Sequence, residues 1–344
     1  MEPIKEPKPL VLVSSSPHMH CGLTISKSMR EVMLALVPAV LASFYYFRFD
    51  AARVIVCCMV SAIIFEKLAN KVMGVKKDTV KDGSAALTGL LLALCLPASL
   101  PSYMAVLGGM FAVVIGKAVF GGLGKNIFNP AHIGRAILLA SFPQQMTTWV
   151  IPATKAAAVT AATAGADATT AATPLAVMRM TEKVWAAGGA AASQLPPLSD
   201  LFMGNVGGSL GETCVPALVI GGLYLIYKKL IDWRIPVFYL ATVAVITGIY
   251  GAVNGYPSTF PLYHLFAGGL MIGAFFMATD WVTSPITKKG KIIYAIGLGL
   301  LTSLIRLRGS YTEGVCYSIL MMNMVTPMID RFVRNVSFGG GQKK

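Results

Sequence analysis

A chain of 344 residues with 55% hydrophobic and only 13% charged residues carries more apolar surface than a water-soluble fold of that size can hide. Its net charge of +14 is scattered over short connections between apolar runs, which excludes a concentrated nucleic-acid-binding face and points to an orientation signal. With a mean hydropathy of +0.67, the sequence reads as an all-α integral membrane protein.

Ten apolar runs follow in chain order: Glu31–Phe47, Ala51–Leu68, Ser84–Leu100, Tyr103–Phe120, Asn129–Phe142, Cys214–Leu230, Ile235–Val253, Leu262–Ala278, Ile292–Ile305 and Gly314–Ile329. A bilayer crossing takes about 20 residues, so the fifth and ninth runs are short and read as tilted, broken or partly spanning. If both ends are cytoplasmic and every run crosses, 21 of the 29 Lys and Arg fall on the cytoplasmic side and seven outside, with Arg135 inside the fifth run. No cleavable signal peptide is expected, because about thirty polar and basic residues precede the first run. The chain divides into a cytoplasmic arm (1–30), a first five-helix half (31–142), an external loop (143–213), a second five-helix half (214–330) and a cytoplasmic tail (331–344).

Two halves of five spans have opposite orientation, the arrangement of an inverted repeat. Gly121-Gly122-Leu123-Gly124 followed by Asn129-Pro130 has a counterpart in Gly309 and Gly314 followed by Asn323 and Pro327. Asn caps helices and Pro suits the first helical position, so a helix begins at Asn129-Pro130 at membrane depth. Its positive end can face an anion or a flavin, or be capped for structural reasons alone. Arg135, one turn further on, must find an anion or several carbonyls, with a flavin phosphate and a neighbouring helix carbonyl as the two candidates.

Of the other polar residues, Glu66, Asp280, Glu313 and Asp330 are candidates for an ion path, although all lie near span ends where water or headgroups reach them. His18, His20, His132 and His264 have no metal or haem spacing and read as packing or hydrogen-bonding groups. Cys21, Cys57, Cys58, Cys95, Cys214 and Cys316 also lack metal-ligand spacing and read mainly as small apolar residues. Cys95, Cys214 and Cys316 remain candidates to lie beside a partner's redox centre.

Between Ala153 and Thr173, 17 of 21 residues are Ala or Thr, which reads as a flexible external segment. Asp167 is the only carboxylate between Asp82 and Glu182, six residues before Thr173. The stretch Asp167-Ala168-Thr169-Thr170-Ala171-Ala172-Thr173 resembles the flavin-transferase acceptor motif Asp-x-x-Ser/Thr-Gly-Ala-Thr, whose last Thr receives FMN through a phosphodiester. Asp167, Thr170, Ala172 and Thr173 match, and Ala171 stands where the motif has Gly. A hydroxyl nucleophile, small neighbours and a carboxylate suit such a transfer, and Pro174 biases Thr173 toward extended backbone.

Further stretches carry a wider resemblance: Ser16-Pro17-His18 with Gly22, Asp82-Gly83-Ser84-Ala85 with Thr88-Gly89, and Phe120-Gly121-Gly122-Leu123-Gly124 with Asn126. Phe128-Asn129-Pro130-Ala131, Met277-Ala278-Thr279-Asp280 with Thr283-Ser284-Pro285, and Tyr311 with Glu313-Gly314 and Met322-Asn323 complete it. Together they resemble the RnfD/NqrB family, which joins a membrane component of the Rnf complex to one of the sodium-translocating NADH:quinone oxidoreductase, with the Rnf side favoured by the compact N-terminus. The resemblance implies a ten-helix fold similar to urea transporters in a prokaryotic cytoplasmic membrane. It implies an electron-transfer role in an ion-pumping ferredoxin:NAD oxidoreductase that moves sodium ions or protons, without catalysis by this chain alone. It also implies covalent FMN on Thr173 at the outer face, a second noncovalent flavin such as riboflavin, a maturing flavin transferase, and the sister proteins RnfA, RnfB, RnfC, RnfE and RnfG as partners. Two rivals stay open: a solute channel or transporter on the same scaffold, and a non-redox anchor subunit.

Overall fold

The computed structural model describes residues 24–74, 79–154, 170–186, 195–212, 214–309 and 313–333. Helix α1 (Ile25–Val72) opens at Thr24, whose hydroxyl accepts the Lys27 N–H at 3.2 Å, and takes in the first two apolar runs. Its arms meet at Arg48, where the backbone leaves the helical region at φ 49° and ψ −124°. A side-chain-bearing residue holds that conformation only where its surroundings impose it.

Helix α2 (Ser84–Leu94) is buried on nearly every side, as its small and apolar residues with no charge allow. The turn at Cys95 and the proline at 97 end it well short of the predicted Leu100. Helix α3 (Ser102–Val113) continues into a π-turn over Val114–Ala118. Helix α4 (Pro130–Ser141) starts where the Asn-Pro pair predicts, with Asn129 Oδ1 accepting the Ala131 N–H at 3.0 Å and Pro130 opening the first turn. A single turn, α5 (Pro143–Met146), leads into strand β1 (Trp149–Val150).

Within 143–213, most of the Ala/Thr tract read as flexible, residues 155–169, lies outside the described residues, while the described residues form short ordered elements. Strand β2 (Thr170–Ala171) pairs antiparallel with β1, setting Ala171 opposite Trp149 and Thr170 opposite Val150. Helix α6 (Pro174–Ala186) and helix α7 (Leu198–Met203) follow. The short 3₁₀ turn Leu210–Glu212 then returns to the core, where the Leu210 N–H donates to Leu96 O at 3.1 Å. An amphipathic α6 can be ordered here because Leu175 and Met178 find an apolar bed in Leu201, Phe260 and Ala267, which composition alone does not reveal.

The second half comprises α8 (Val215–Tyr227), α9 (Arg234–Val253), α10 (Phe260–Phe266), α11 (Leu270–Ile272) with a π-turn over Gly273–Met277, α12 (Lys288–Arg308) and α13 (Val315–Phe332). Among the described residues, α9 with 20 residues and α12 with 21 are each long and apolar enough to cross a membrane. The run predicted over Leu262–Ala278 is instead broken, with α10 and the segment Leu270–Met277 meeting at 63°. The ninth run, short by its apolar letters, is a full helix. Thr287 caps it in front of Lys288, and Arg306 and Arg308 lie inside its last turn, so charged ends hid its length.

Outward faces are apolar: Leu34, Val37 and Leu41 on α1, Val245 and Ile249 on α9, and Leu300 and Leu304 on α12 are all exposed. Rows of such residues on successive helical turns suit contact with lipid. Inward, small residues let backbones touch. A Cβ on Gly221 of α8 would stand 2.1 Å from the Ala35 carbonyl oxygen, and one on Gly89 of α2 would stand 2.6 Å from that of Cys58. Gly221→Ala is therefore expected to cost about 1–3 kcal/mol by overpacking and to lower the unfolding midpoint of the detergent-purified chain. The same substitution at Gly248 of α9, where a Cβ would stand 3.7 Å from Pro261 Cγ, has no such contact to force apart.

Candidate functional site

Breaking a helix inside the protein leaves carbonyls at one stump and N–H groups at the other without partners. Here ionised side chains from neighbouring helices supply them. Arg306 of α12 donates to the carbonyls of His264 and of Ala267 (3.1 Å for the latter) at the C-terminal stump of α10. Glu313, just before α13, accepts the Gly269 N–H at 3.2 Å, where α11 begins. A cation on the carbonyl end and a carboxylate on the N–H end match the helix dipoles. Gly268 between them has φ +71°, and a Cβ there would meet Leu175, Arg306 and Glu313 at 2.8, 3.0 and 3.7 Å.

The same carboxylate ties the two halves together. Both terminal nitrogens of Arg135 on α4 donate to Glu313, Nη1 to Oε1 at 3.1 Å and Nη2 to Oε2, in a buried bidentate pair. Arg135 thus meets an anion, as a buried guanidinium must, and that anion is a carboxylate of the same chain. An acid 178 positions away has no sequence signature as its mate. Asn129 adds a second tie. Its Nδ2 reaches Met277 O at 3.3 Å, and its backbone N–H donates at 3.1 Å to Asn323 of α13, which in turn donates to Tyr294 Oη at 2.9 Å and Ile319 O at 3.2 Å. Cys95 Sγ lies 3.7 Å from Met277 Sδ and Cys316 Sγ donates to His132 O at 3.6 Å, so both thiols are buried beside this junction. His264 lies in the last turn of α10 rather than near a helix start.

A cavity of about 280 Å³ opens between the halves on the side of the 228–234 and 279–291 connections. Leu87, Leu91, Leu225 and Phe276 give it apolar walls, and Thr88, Asn126, Asn129, Lys117 and Asp280 place polar groups within them. That combination suits an organic ligand of modest size. Asn126 Oδ1 is buried and finds no partner among the described residues, an acceptor waiting for a donor. Both π-turns border the cavity, through Lys117 and Phe276, and such insertions recur at functional sites.

Lys117, counted from the sequence among the cytoplasmic-side cations, is buried in the π-turn that follows α3, with its Nζ 2.7 Å from Glu66 Oε1. Glu66 is correspondingly buried, not at a hydrated span end. The available signal was a charge inside an apolar run. Asp280 accepts from the Thr283 hydroxyl at 3.1 Å, and Asp330 Oδ1 accepts the Ile286 N–H at 3.1 Å.

On the other side, Thr173 is half-buried at the head of α6, its Oγ1 accepting the Ala176 N–H at 3.2 Å while its carbonyl accepts that of Val177 at 3.0 Å. Pro174 keeps Thr173 out of the helix by making it the cap. Leu175 packs on Gly268 at the broken helix, and Arg179 donates to Gly309 O beyond α12. Of the remaining motif positions, Thr170 lies in β2, Ala172 is exposed and Asp167 lies outside the described residues.

A model described as the NQR2, RnfD, RnfE family matches residues 12–339 of the chain. A Clostridium ljungdahlii protein named as a subunit of the proton-translocating ferredoxin:NAD(+) oxidoreductase complex is 49% identical over 96% of this chain and 97% of its own length. An Acetobacterium woodii protein named as the corresponding subunit of the Na(+)-translocating complex is 44% identical over 95% of each chain. A Stutzerimonas stutzeri protein, named as the corresponding subunit of an ion-translocating oxidoreductase complex, is 39% identical over 92% of each.

The buried pair and the docked helix can each be tested. Arg135→Leu strands the buried Glu313 carboxylate and is expected to cost about 3–5 kcal/mol, read as thermal unfolding in detergent. Adding Glu313→Gln should recover part of that loss, whereas an unconnected pair would add their losses. On α6, burial outweighs Arg179 and pushes the Glu182 carboxyl from 4.5 up to about 7. Its raised value means that docking of α6 is fully supported below pH 4.5 and weakens as pH rises through 7. Protease access to α6 should therefore increase between pH 4.5 and 7 and level off above that, and Glu182→Gln should remove that dependence.

Proposed function

We propose, from the premise that this chain belongs to the NQR2, RnfD, RnfE family, that it is the flavin-bearing membrane subunit of an ion-translocating ferredoxin:NAD oxidoreductase. It works with the other Rnf subunits as a multi-pass membrane protein, and catalysis belongs to the complex. Ten spans in two inverted halves, cytoplasmic termini and an outer 143–213 segment are part of the same reading. The two cations support it: Lys117 of the fourth span reaches Ser84 at the start of the third, and Arg306 of the ninth reaches the break in the eighth.

The observation that carries the reading is the seat of Thr173. Its hydroxyl caps a 13-residue helix, so a phosphate esterified there lies at the positive dipole end of α6. Covalent FMN attached by a flavin transferase fits this position, and it supplies one- or two-electron chemistry when bound. The residues of the chain position it: Leu175, Met178 and Arg179 fix α6 against α10, the broken helix and the end of α12. Asp167 and Thr170 belong to the acceptor sequence.

The inner cavity is the proposed site of the second, noncovalent flavin, such as riboflavin. Its aliphatic walls accept a planar ring, and Asn126 Oδ1, which lacks a donor, suits a ring N–H or a ribityl hydroxyl. Asn129 is committed to its cap and to Met277, and Arg135 to Glu313, so both shape the site rather than grip a phosphate. For the ion path, Asp280 at the cavity wall is better placed than Glu313, which is held by Arg135 and Gly269, or Asp330, which holds Ile286.

Expressed with a flavin transferase, the denatured wild-type subunit should give an ultraviolet-fluorescent gel band and a mass increase matching FMN. Thr173→Ala should lose both, and Thr173→Ser should keep them in part. A wild-type mass equal to that of the bare polypeptide would remove the tether from the proposal.

A further inference from the structure

The cavity carries an ammonium group that is only partly spent. Lys117 Nζ lies 2.7 Å from Glu66 Oε1 and 2.7 Å from Ser84 Oγ, and both Lys117 and Ser84 line the cavity. An ammonium has three N–H donors, so one is left after these two bonds. Its counter-ion is lopsided. Glu66 Oε1 also accepts from the Thr79 hydroxyl at 2.7 Å, itself fixed by Asn70 Nδ2 at 2.7 Å, while Glu66 Oε2 is buried with no partner among the described residues.

In so apolar a space, an ammonium with a spare donor attracts any negative charge that forms beside it far more strongly than it would in water. A purely structural ion pair has no need to face a ligand cavity or to sit in a π-turn. We infer that Lys117 sets the preference of the cavity for the reduced, negatively charged form of its ligand over the oxidised form, and that Glu66 tempers this preference by competing for the ammonium. The inference rests on the reading of the cavity as a noncovalent flavin site. With a flavin bound, the third N–H of Lys117 would meet the negative charge that a one-electron donor of the complex places on the ring, and no covalent bond would form or break.

Full-length chain carrying Thr173→Ala, which removes the tethered flavin, is purified in detergent, loaded with riboflavin and titrated redox-optically. In that background Lys117→Met should weaken binding of reduced relative to oxidised riboflavin about tenfold, lowering a one-electron midpoint by about 59 mV. Glu66→Gln leaves the ammonium unopposed and should raise the midpoint, Lys117→Arg should stay near the parent, and Lys117→Met with Glu66→Gln should fall between the single variants. Should Lys117→Met not fold, the rise in Glu66→Gln and its reversal in the double variant carry the test. Retained riboflavin with shifts of the same sign, or with no shift, overturns the role of Lys117. A parent chain that binds no riboflavin instead removes the cavity assignment and the inference with it.

Discussion

A helix broken within an apolar fold leaves polar groups that lipid cannot satisfy, and that deficit governs this structure. Arg306 takes the carbonyls of the α10 stump and Glu313 takes an N–H of α11, so the break between His264 and Gly269 persists only because two ionised side chains are brought to it. Glu313 then carries a negative charge far from water, and Arg135 neutralises it from the first half of the chain. Each group solves a problem that another creates. The bidentate pair locks α4 onto the opposite half more specifically than aliphatic packing could.

The Thr173 segment and the cavity are both organised around that junction. Helix α6 leans on it through Leu175, which lies against Gly268 beside Arg306 and Glu313. The cavity approaches it through Asn129, whose side chain caps α4 and also holds Met277, the last residue of the second π-turn. A change in charge at either place is therefore felt by groups that clamp the two halves.

Much of the architecture was legible because lipid imposes a one-dimensional rule, an apolar run followed by a polar break. The helix starting at Asn129-Pro130 was readable from capping chemistry, as was the exclusion of Thr173 from the helix that Pro174 begins. The order at 170–186 was not. Leu175 and Met178 look like two apolar letters in an alanine-rich tract until Phe260 and Leu201, far along the chain, are folded beneath them. Lys117 and Arg306 read as orienting cations for the same reason, since their partners at 66 and in 264–267 are remote or are backbone carbonyls.

The sequence by itself determined that the protein lives in lipid, roughly where its helices start and stop, and which hydroxyl lies in an acceptor-like motif. These depend on local composition and on neighbours within a turn or two. Only the tertiary structure decided that Arg135 meets Glu313, that Lys117 and Glu66 form a buried pair on a cavity wall, and that the apolar run Leu262–Ala278 is broken and held open by charges. Such pairings arise when segments far apart in the chain are packed together, and the cost of burying a charge depends on the partner found there.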